Sequence, residues 1–386
     1  MVHSDTPQAI AVTDDKPYAE LWYGTHVNGH AKVVPSSSSK STFLPQDGTL
    51  LGQYLGADLP FILKVLSING ALSLQSHPDL TLAKKLHASA PQHYKDPNHK
   101  PELVVALTPM HALCGFRSIS EILAYADTVP EFSALLGDAL TPLRTHLKTH
   151  FDSDAVRLQS ERQSLATAFA AAMRAPEPEV AKYTAAFAQR NKHLAGVYQA
   201  NLADPTFHHR FHSPSQQFTN CDTASTLALV YDLIQQYPAD VGAFGPFFLN
   251  YFTLAPRQSV FLGPNEPHAY LFGDCIEAMA CSDNVVRAGL TPKFRDVETL
   301  VEMLTYSTLP PSVNTGLPVA RPVVDSETHS QEDQHTRLYA PSTEFPEFMV
   351  SRSEIHGGEI PLHTLSVPSI VLCAEGKGTL VVDGAS

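Results

Sequence analysis

The stretch ALSLQSHPD, residues 71–79, sets Ser73, Gln75 and His77 at every second position. Successive strand side chains point to opposite faces, so one face offers a hydroxyl, an amide and an imidazole to a common space while Leu72 and Leu74 take the other. Glu102 stands at the head of an apolar run in NHKPELVVAL, with His99 and Lys100 beside it. His268, Glu277, Arg287 and Lys293 lie in VFLGPNEPHAYLFGDCIEAMACSDNVVRAGLTPKF. These are the residue types of metal ligation and acid–base work. Taken singly, each has an ordinary explanation: a hydrogen-bonded turn histidine, a solvated glutamate, a structural ion pair. Composition and spacing alone do not establish a metal centre.

The elements that must position these residues are legible. LPFILKVLSI reads as a strongly apolar strand, and Asn69-Gly70 supplies a turn before the 71–79 stretch. PDLTLAKKLHAS reads as a short helix, and residues 103–107 as a strand. From 118 to 237 the texture turns helical and alanine-rich, punctuated by proline and glycine. From Gly242 aromatic and β-branched residues return. Residues 307–345, proline-rich and polar, read as a long connection, and SIVLCAEGKGTLVVDGAS as a hairpin turning at Gly376 and Gly378, with a last strand at 379–382. VVPSSSSKST reads as a loop, as do His208 and His209 in DPTFHHRFHSPS.

At 386 residues and 43% hydrophobic, the chain can bury a substantial core in two or three units. A net charge of −13 argues against nucleic-acid or anionic-membrane binding, which needs a basic face. An anionic substrate then requires a few local cations. The five cysteines are odd in number and form no CxxC pair, which suits reduced thiols in a reducing compartment; Cys114 reads as a small buried thiol rather than a reactive one. The polar start MVHSDTPQAIAVTDDK carries no signal core, and no apolar run approaches a membrane span. The expected setting is cytoplasmic.

Five blocks, PYAELWYGTH, ALSLQSHPD, NHKPELVVALTPMHALCGFR, LGPNEPHAY and CSDNVVRAGLTPKF, closely resemble the type I mannose-6-phosphate isomerases, or phosphomannose isomerases, and occur in the family's order over residues 17–306. The resemblance implies a mainly β fold of cupin-type jelly-roll barrels with a helical insertion. The implied division places the catalytic cupin domain in 1–117 and 238–306, a helical domain in 118–237 and an incomplete cupin-like domain in 307–386. It also implies one zinc per chain, held by Gln75, His77, Glu102 and His268. Arg287 matches the family's catalytic arginine. Lys100 and Lys293 match basic pocket residues, and Ser73 and Glu277 fall at active-site positions. Such a set, with no thiolate and one carboxylate, leaves the metal a formal charge of +1 and an open position for water or substrate.

The implied activity is interconversion of mannose 6-phosphate and fructose 6-phosphate through a cis-enediol or enediolate, supplying mannose for GDP-mannose synthesis and glycosylation. Glu277 is a candidate base, with zinc-bound water as the alternative; Arg287 faces developing oxyanion charge or helps shuttle protons. Lys100 is counted with these two among the catalytic residues, and Lys100, Lys293 and Arg287 are the cations for phosphate. The expected assembly is a monomer. Against the family pattern both termini read as truncated: the upstream YxWG-like strand region is missing, and the last barrel stops after GKGTL. Gly70 and PRQS at 256–259 are smaller departures. The rival readings are a non-catalytic zinc-binding cupin acting in interaction or regulation, and a different cupin enzyme such as an iron oxygenase, against which Gln75 and the cations argue.

Overall fold

Alternation along each strand decides which core a side chain enters. In this computed structural model, which describes residues 19–34, 48–211, 218–320, 332–357 and 367–378, the strands begin with β1 (Glu20–Tyr23), β2 (Phe61–Ile68), β3 (Leu74–Ser76), β4 (Glu102–Ala106) and β5 (Met110–Phe116). After a helical stretch come β6 (Leu249–Leu254), β7 (Ser259–Leu262), β8 (His268–Ala280) and β9 (Val286–Gly289). The last are β10 (Val313–Asn314), β11 (Leu317–Ala320), β12 (Glu332–Tyr339) and β13 (Val350–Ser353). The first ten form one sheet along the path β1-β2-β8-β4-β7-β10, joined by β3, β5, β6 and β9; β11-β12-β13 form a second sheet.

The long strand β8 is the spine. From Gly273 onward it runs between β2 and β4, whereas its first residues pair with β3 and β5. Gly273, at φ 108°, sits where the partners change. A Cβ there would lie 2.5 Å from the Pro109 carbonyl oxygen and 2.8 Å from Met110 Cα, so only glycine fits. Strand β4 is buried on both faces. Val104 and Ala106 join a core with Leu66, Met110, Phe252, Tyr270 and Cys275, while Leu103 and Val105 join Ala278, Tyr339 and Phe348 on the other side. The period of two puts Glu102 on the first of these faces.

Between β5 and β6 the alanine-rich segments form helices, from Ile119–Thr128 to Thr223–Gln236. Ser118 opens the first with a reciprocal capping box to Glu121, pairing backbone donors left over at a helix start. Phe132 packs on Phe247 and Phe248 at ring separations of 5.0 and 5.1 Å. Truncating such a fully buried phenylalanine costs about 3–5 kcal/mol. No helix among the described residues is long and apolar enough to cross a membrane. Cys114 is buried, and that burial pushes its thiol pKa up.

Several local expectations change. The connection expected over 307–345 contains β10, β11 and β12; Pro318 is accommodated because β11 is an edge strand with a register shift after that residue. The described part of the expected final hairpin, 369–378, carries no strand, and 379–382 lies outside the described residues, as does 35–42 of the serine-rich loop. His208 opens a short turn of helix, His208–Phe211, and is buried with its Nδ1 3.2 Å from His111 Nε2. Stacking of His111 on Phe207 makes that pocket part of the core.

Candidate metal centre and active site

Three strands deliver three ligand-type side chains to one buried point. His77 follows β3, Glu102 opens β4 and His268 opens β8, each 1% exposed. His77 Nε2 lies 3.2 Å from Glu102 Oε1 and His268 Nε2 lies 3.4 Å from Glu102 Oε2. One potential ligand atom from each residue lies within 4.8 Å of the others.

The far side of each ring sets its tautomer. His77 Nδ1 lies 2.7 Å from the Asn284 carbonyl oxygen, and His268 Nδ1 lies 3.0 Å from that of Glu266. A carbonyl only accepts, so each Nδ1 donates, and in the neutral ring the proton then sits there and Nε2 keeps its lone pair. Both Nε2 atoms are buried without a hydrogen-bond partner. Burial, then the Lys100 charge, pulls the His77 pKa down to about 4 against the opposing pull of Glu102, so its imidazole is neutral near pH 7. Lone pairs aimed at a carboxylate repel by themselves and attract around a cation. The residues therefore fit a divalent metal.

Charged groups crowd the same interior. Lys100 Nζ lies 2.8 Å from Glu102 Oε1. Burial alone would raise the Glu102 carboxyl, but Lys100 and the two histidines outweigh it and hold it well below the usual range. Burial opposes charge on Lys100 too, and Glu102 and Glu277 overcome it, raising the ammonium pKa. The Tyr270 hydroxyl is 3.1 Å from Glu102 Oε2 and 2.9 Å from Glu277 Oε1, so one proton serves two carboxylates. Lys64, directly opposite Glu277 in the β2–β8 register, has its Nζ 3.5 Å from Glu277 Oε2 and 4.3 Å above the Trp22 ring. Burial and then the Glu102 charge raise the Glu277 carboxyl despite Lys64 and Lys100. A carboxylate so placed is a better proton acceptor than a solvated one.

The remaining sequence candidates are distributed around this centre. Gln75 is in register with both His268 and Arg287, and Ser73 Oγ donates to Gln75 Oε1 at 2.8 Å. Leu72, expected in the sealed core, is 42% exposed because β3 begins only at Leu74. Arg287 is half-buried on β9; its side chain makes no hydrogen bond or ion pair among the described residues, and burial lowers its pKa against the influence of Tyr94. Lys293 is exposed beyond β9 and its side chain makes no hydrogen bond or ion pair to the three ligands. Two residues escaped the sequence reading. Lys64 had a usable signal: it interrupts FILKVLSI at an inward position between buried Ile62 and Leu66. Tyr270 had none, since nothing local separates it from an ordinary core tyrosine.

Known proteins are similar to this chain. The family model described as phosphomannose isomerase type I, catalytic domain, matches residues 1–119. Mannose-6-phosphate isomerase of Homo sapiens is 39% identical over 377 residues, which is 96% of this chain and 80% of the human protein. That of Aspergillus fumigatus is 38% identical over 383 residues, 97% of this chain and 81% of the fungal one. Among solved structures, an arginine-to-alanine variant of phosphomannose isomerase from Salmonella typhimurium superposes with a TM-score of 0.58 at 26% identity, covering 89% of this chain and 76% of that one. A mannose 6-phosphate isomerase bound with zinc and yttrium gives 0.56 at 27% identity, with coverage of 87% and 75%.

Proposed function

The chain belongs to the type I phosphomannose isomerases, and from that premise we propose that it interconverts mannose 6-phosphate and fructose 6-phosphate at the His77–Glu102–His268 centre. The observation that carries the reading is the pair of orphaned Nε2 lone pairs flanking a buried carboxylate. Zinc is the proposed metal: the ligand chemistry suits it, and a solved relative is bound with zinc. We assign Gln75 as the fourth ligand, from its place in register with His268. Bound zinc would supply Lewis-acid polarisation of the substrate's O1/O2 region.

The chain's own groups do the rest. Glu277, its basicity raised by burial and Glu102, takes the C2 proton and returns it to C1 by way of a cis-enediol(ate). Tyr270 and Lys64 hold that carboxylate in place. Arg287, a half-buried cation whose side chain makes no hydrogen bond or ion pair among the described residues, faces the oxyanion charge that develops. Lys100 and Lys293, with Arg287, are assigned to the local positive field that a phosphate needs in a protein of net charge −13; Ser73 is assigned to substrate binding beside Gln75. We also read the ten-stranded sheet, β10 excepted, as a cupin-type barrel built from 1–117 and 238–306, with 118–237 inserted and 307–386 a second cupin-like unit whose β10 pairs with β7.

A coupled assay of the interconversion, run with and without a chelator and zinc add-back, tests this. Turnover that disappears on chelation and returns with zinc supports it. Stoichiometric zinc with no turnover would favour the non-catalytic metal-binding alternative.

A further inference from the structure

We infer that Asn265 is a positioning residue of the metal centre, clamping the loop that delivers His268 to the turn that delivers His77. The inference rests on the reading of that centre as a metal site. His77 follows β3 and His268 opens β8, and the ladder between these two strands consists of a single residue pair, Gln75 with His268. So short a ladder leaves the distance between the two imidazoles to be set by something else. Asn265 spans the gap. Its backbone N–H donates to the His77 carbonyl at 2.7 Å. Its side-chain Nδ2 donates to Asp79 Oδ2 at 3.0 Å, and its Oδ1 accepts from the Asp79 backbone N–H at 3.2 Å. Its carbonyl accepts from the Thr305 N–H at 3.1 Å.

The residue type follows from this task. Asn265 has φ 62°, the left-handed region that asparagine enters more readily than most side chains, and glycine at no steric cost. Glycine could adopt the backbone but not grip Asp79. The grip is also anchored from behind. Thr305 Oγ1 donates to Glu266 Oε1 at 2.6 Å, and the Glu266 carbonyl is the acceptor that orients His268. Tyr306 stacks on Phe116 of the main core at 5.2 Å. The clamp therefore ties both ligand-bearing segments to the rigid body of the protein, and both of its side-chain bonds go to Asp79.

The full-length chain loaded with cobalt(II) tests the assignment. Asn265→Gly keeps the left-handed backbone and deletes both side-chain bonds; cobalt loss to a chelator is expected to accelerate by about 10- to 100-fold, the usual effect of losing an outer-shell partner, with a shift in the visible ligand-field bands. Asn265→Asp sets a second carboxylate against Asp79 and is expected to lose cobalt faster still. Adding Asp79→Asn to Asn265→Asp recreates the amide–carboxylate pair with its polarity reversed and keeps a side chain competent to cap the following helix. That double variant is expected to recover wild-type retention and spectrum, which a general loss of turn stability would not predict. Wild-type retention in Asn265→Gly, or no recovery in the double variant, overturns the clamp while the metal site stands. A wild-type chain that takes up no cobalt overturns both.

Discussion

Replacing Tyr270 by phenylalanine isolates the link between the two interior carboxylates. The ring is buried in the core beside Val104 and Cys275, so the substitution removes one oxygen and keeps the packing. That oxygen lies 2.9 Å from Glu277 and 3.1 Å from Glu102. A hydrogen bond to a charged acceptor contributes about 1.5–3 kcal/mol, and one pKa unit corresponds to about 1.4 kcal/mol. Because one proton is divided between two acceptors, the loss at Glu277 falls near the lower figure, or about one unit upward. A base must be ionised to act, so raising its pKa moves the acid limb of the kcat/KM profile to higher pH by about that amount. Activity well below the limb then falls about tenfold, while activity above it changes little. The assay is the coupled isomerase measurement across pH with zinc held saturating and metal content checked in each sample. An acid limb that superimposes on the wild type, at equal metal content, refutes the assignment of Glu277 as the base held by Tyr270.

Other perturbations separate the remaining roles. Arg287→Ala is expected to lower kcat by about 10²- to 10³-fold, the scale for losing an oxyanion donor, with zinc content unchanged by elemental analysis; full turnover removes the role. Lys64→Met keeps an unbranched apolar side chain and deletes the cation that lies 3.5 Å from Glu277 and 4.3 Å over the Trp22 ring. Its acid limb should also move to higher pH, since a cation that favoured the carboxylate is gone, and an unchanged limb argues that Lys64 only packs. Far from the site, Arg190 Nε and Nη2 bond both oxygens of Glu131 at 2.9 and 2.6 Å. Burial opposes ionisation there, but the arginine outweighs it and holds the carboxyl below its ordinary range. A depressed carboxyl stabilises the fold above its unfolded pKa, and that contribution fades as pH falls through the folded value. Glu131→Gln should therefore lower stability by about 1 kcal/mol near neutrality, and thermal melts of the two proteins should converge in acid; a gap independent of pH contradicts the ion-pair account.

Much of the fold was legible because it is local. The apolar run that became β2, the helix over Leu80–Ser89 and the alanine-rich helices between β5 and β6 each declare themselves by period and by capping residues such as Asp79 and Ser118. The stretch over 307–345 did not: β10 has only two residues, β11 is a four-residue edge strand carrying a proline, and β12, central in the small sheet, is written in the charged and polar run EDQHTRLY, which shows little apolar alternation. His208 misled for a related reason: its polar neighbours looked solvated, yet the turn folds it against His111.

By itself the sequence determined which chemical groups exist and that Glu102 heads a strand, as it does in β4. Of the face expected from Ser73, Gln75 and His77 only Gln75 lies within β3, and that His268 opens β8 is a finding of the structure. Only the tertiary structure decided that two imidazole lone pairs meet across a carboxylate, that Tyr270 bridges Glu102 to Glu277, and that Lys64 stands opposite that glutamate. The reason is physical. Residue type and period are properties of neighbours along the chain, whereas tautomer, desolvation and charge coupling depend on groups within a few ångströms that arrive from strands far apart in sequence, and a pattern of period two carries no record of which strands will pair.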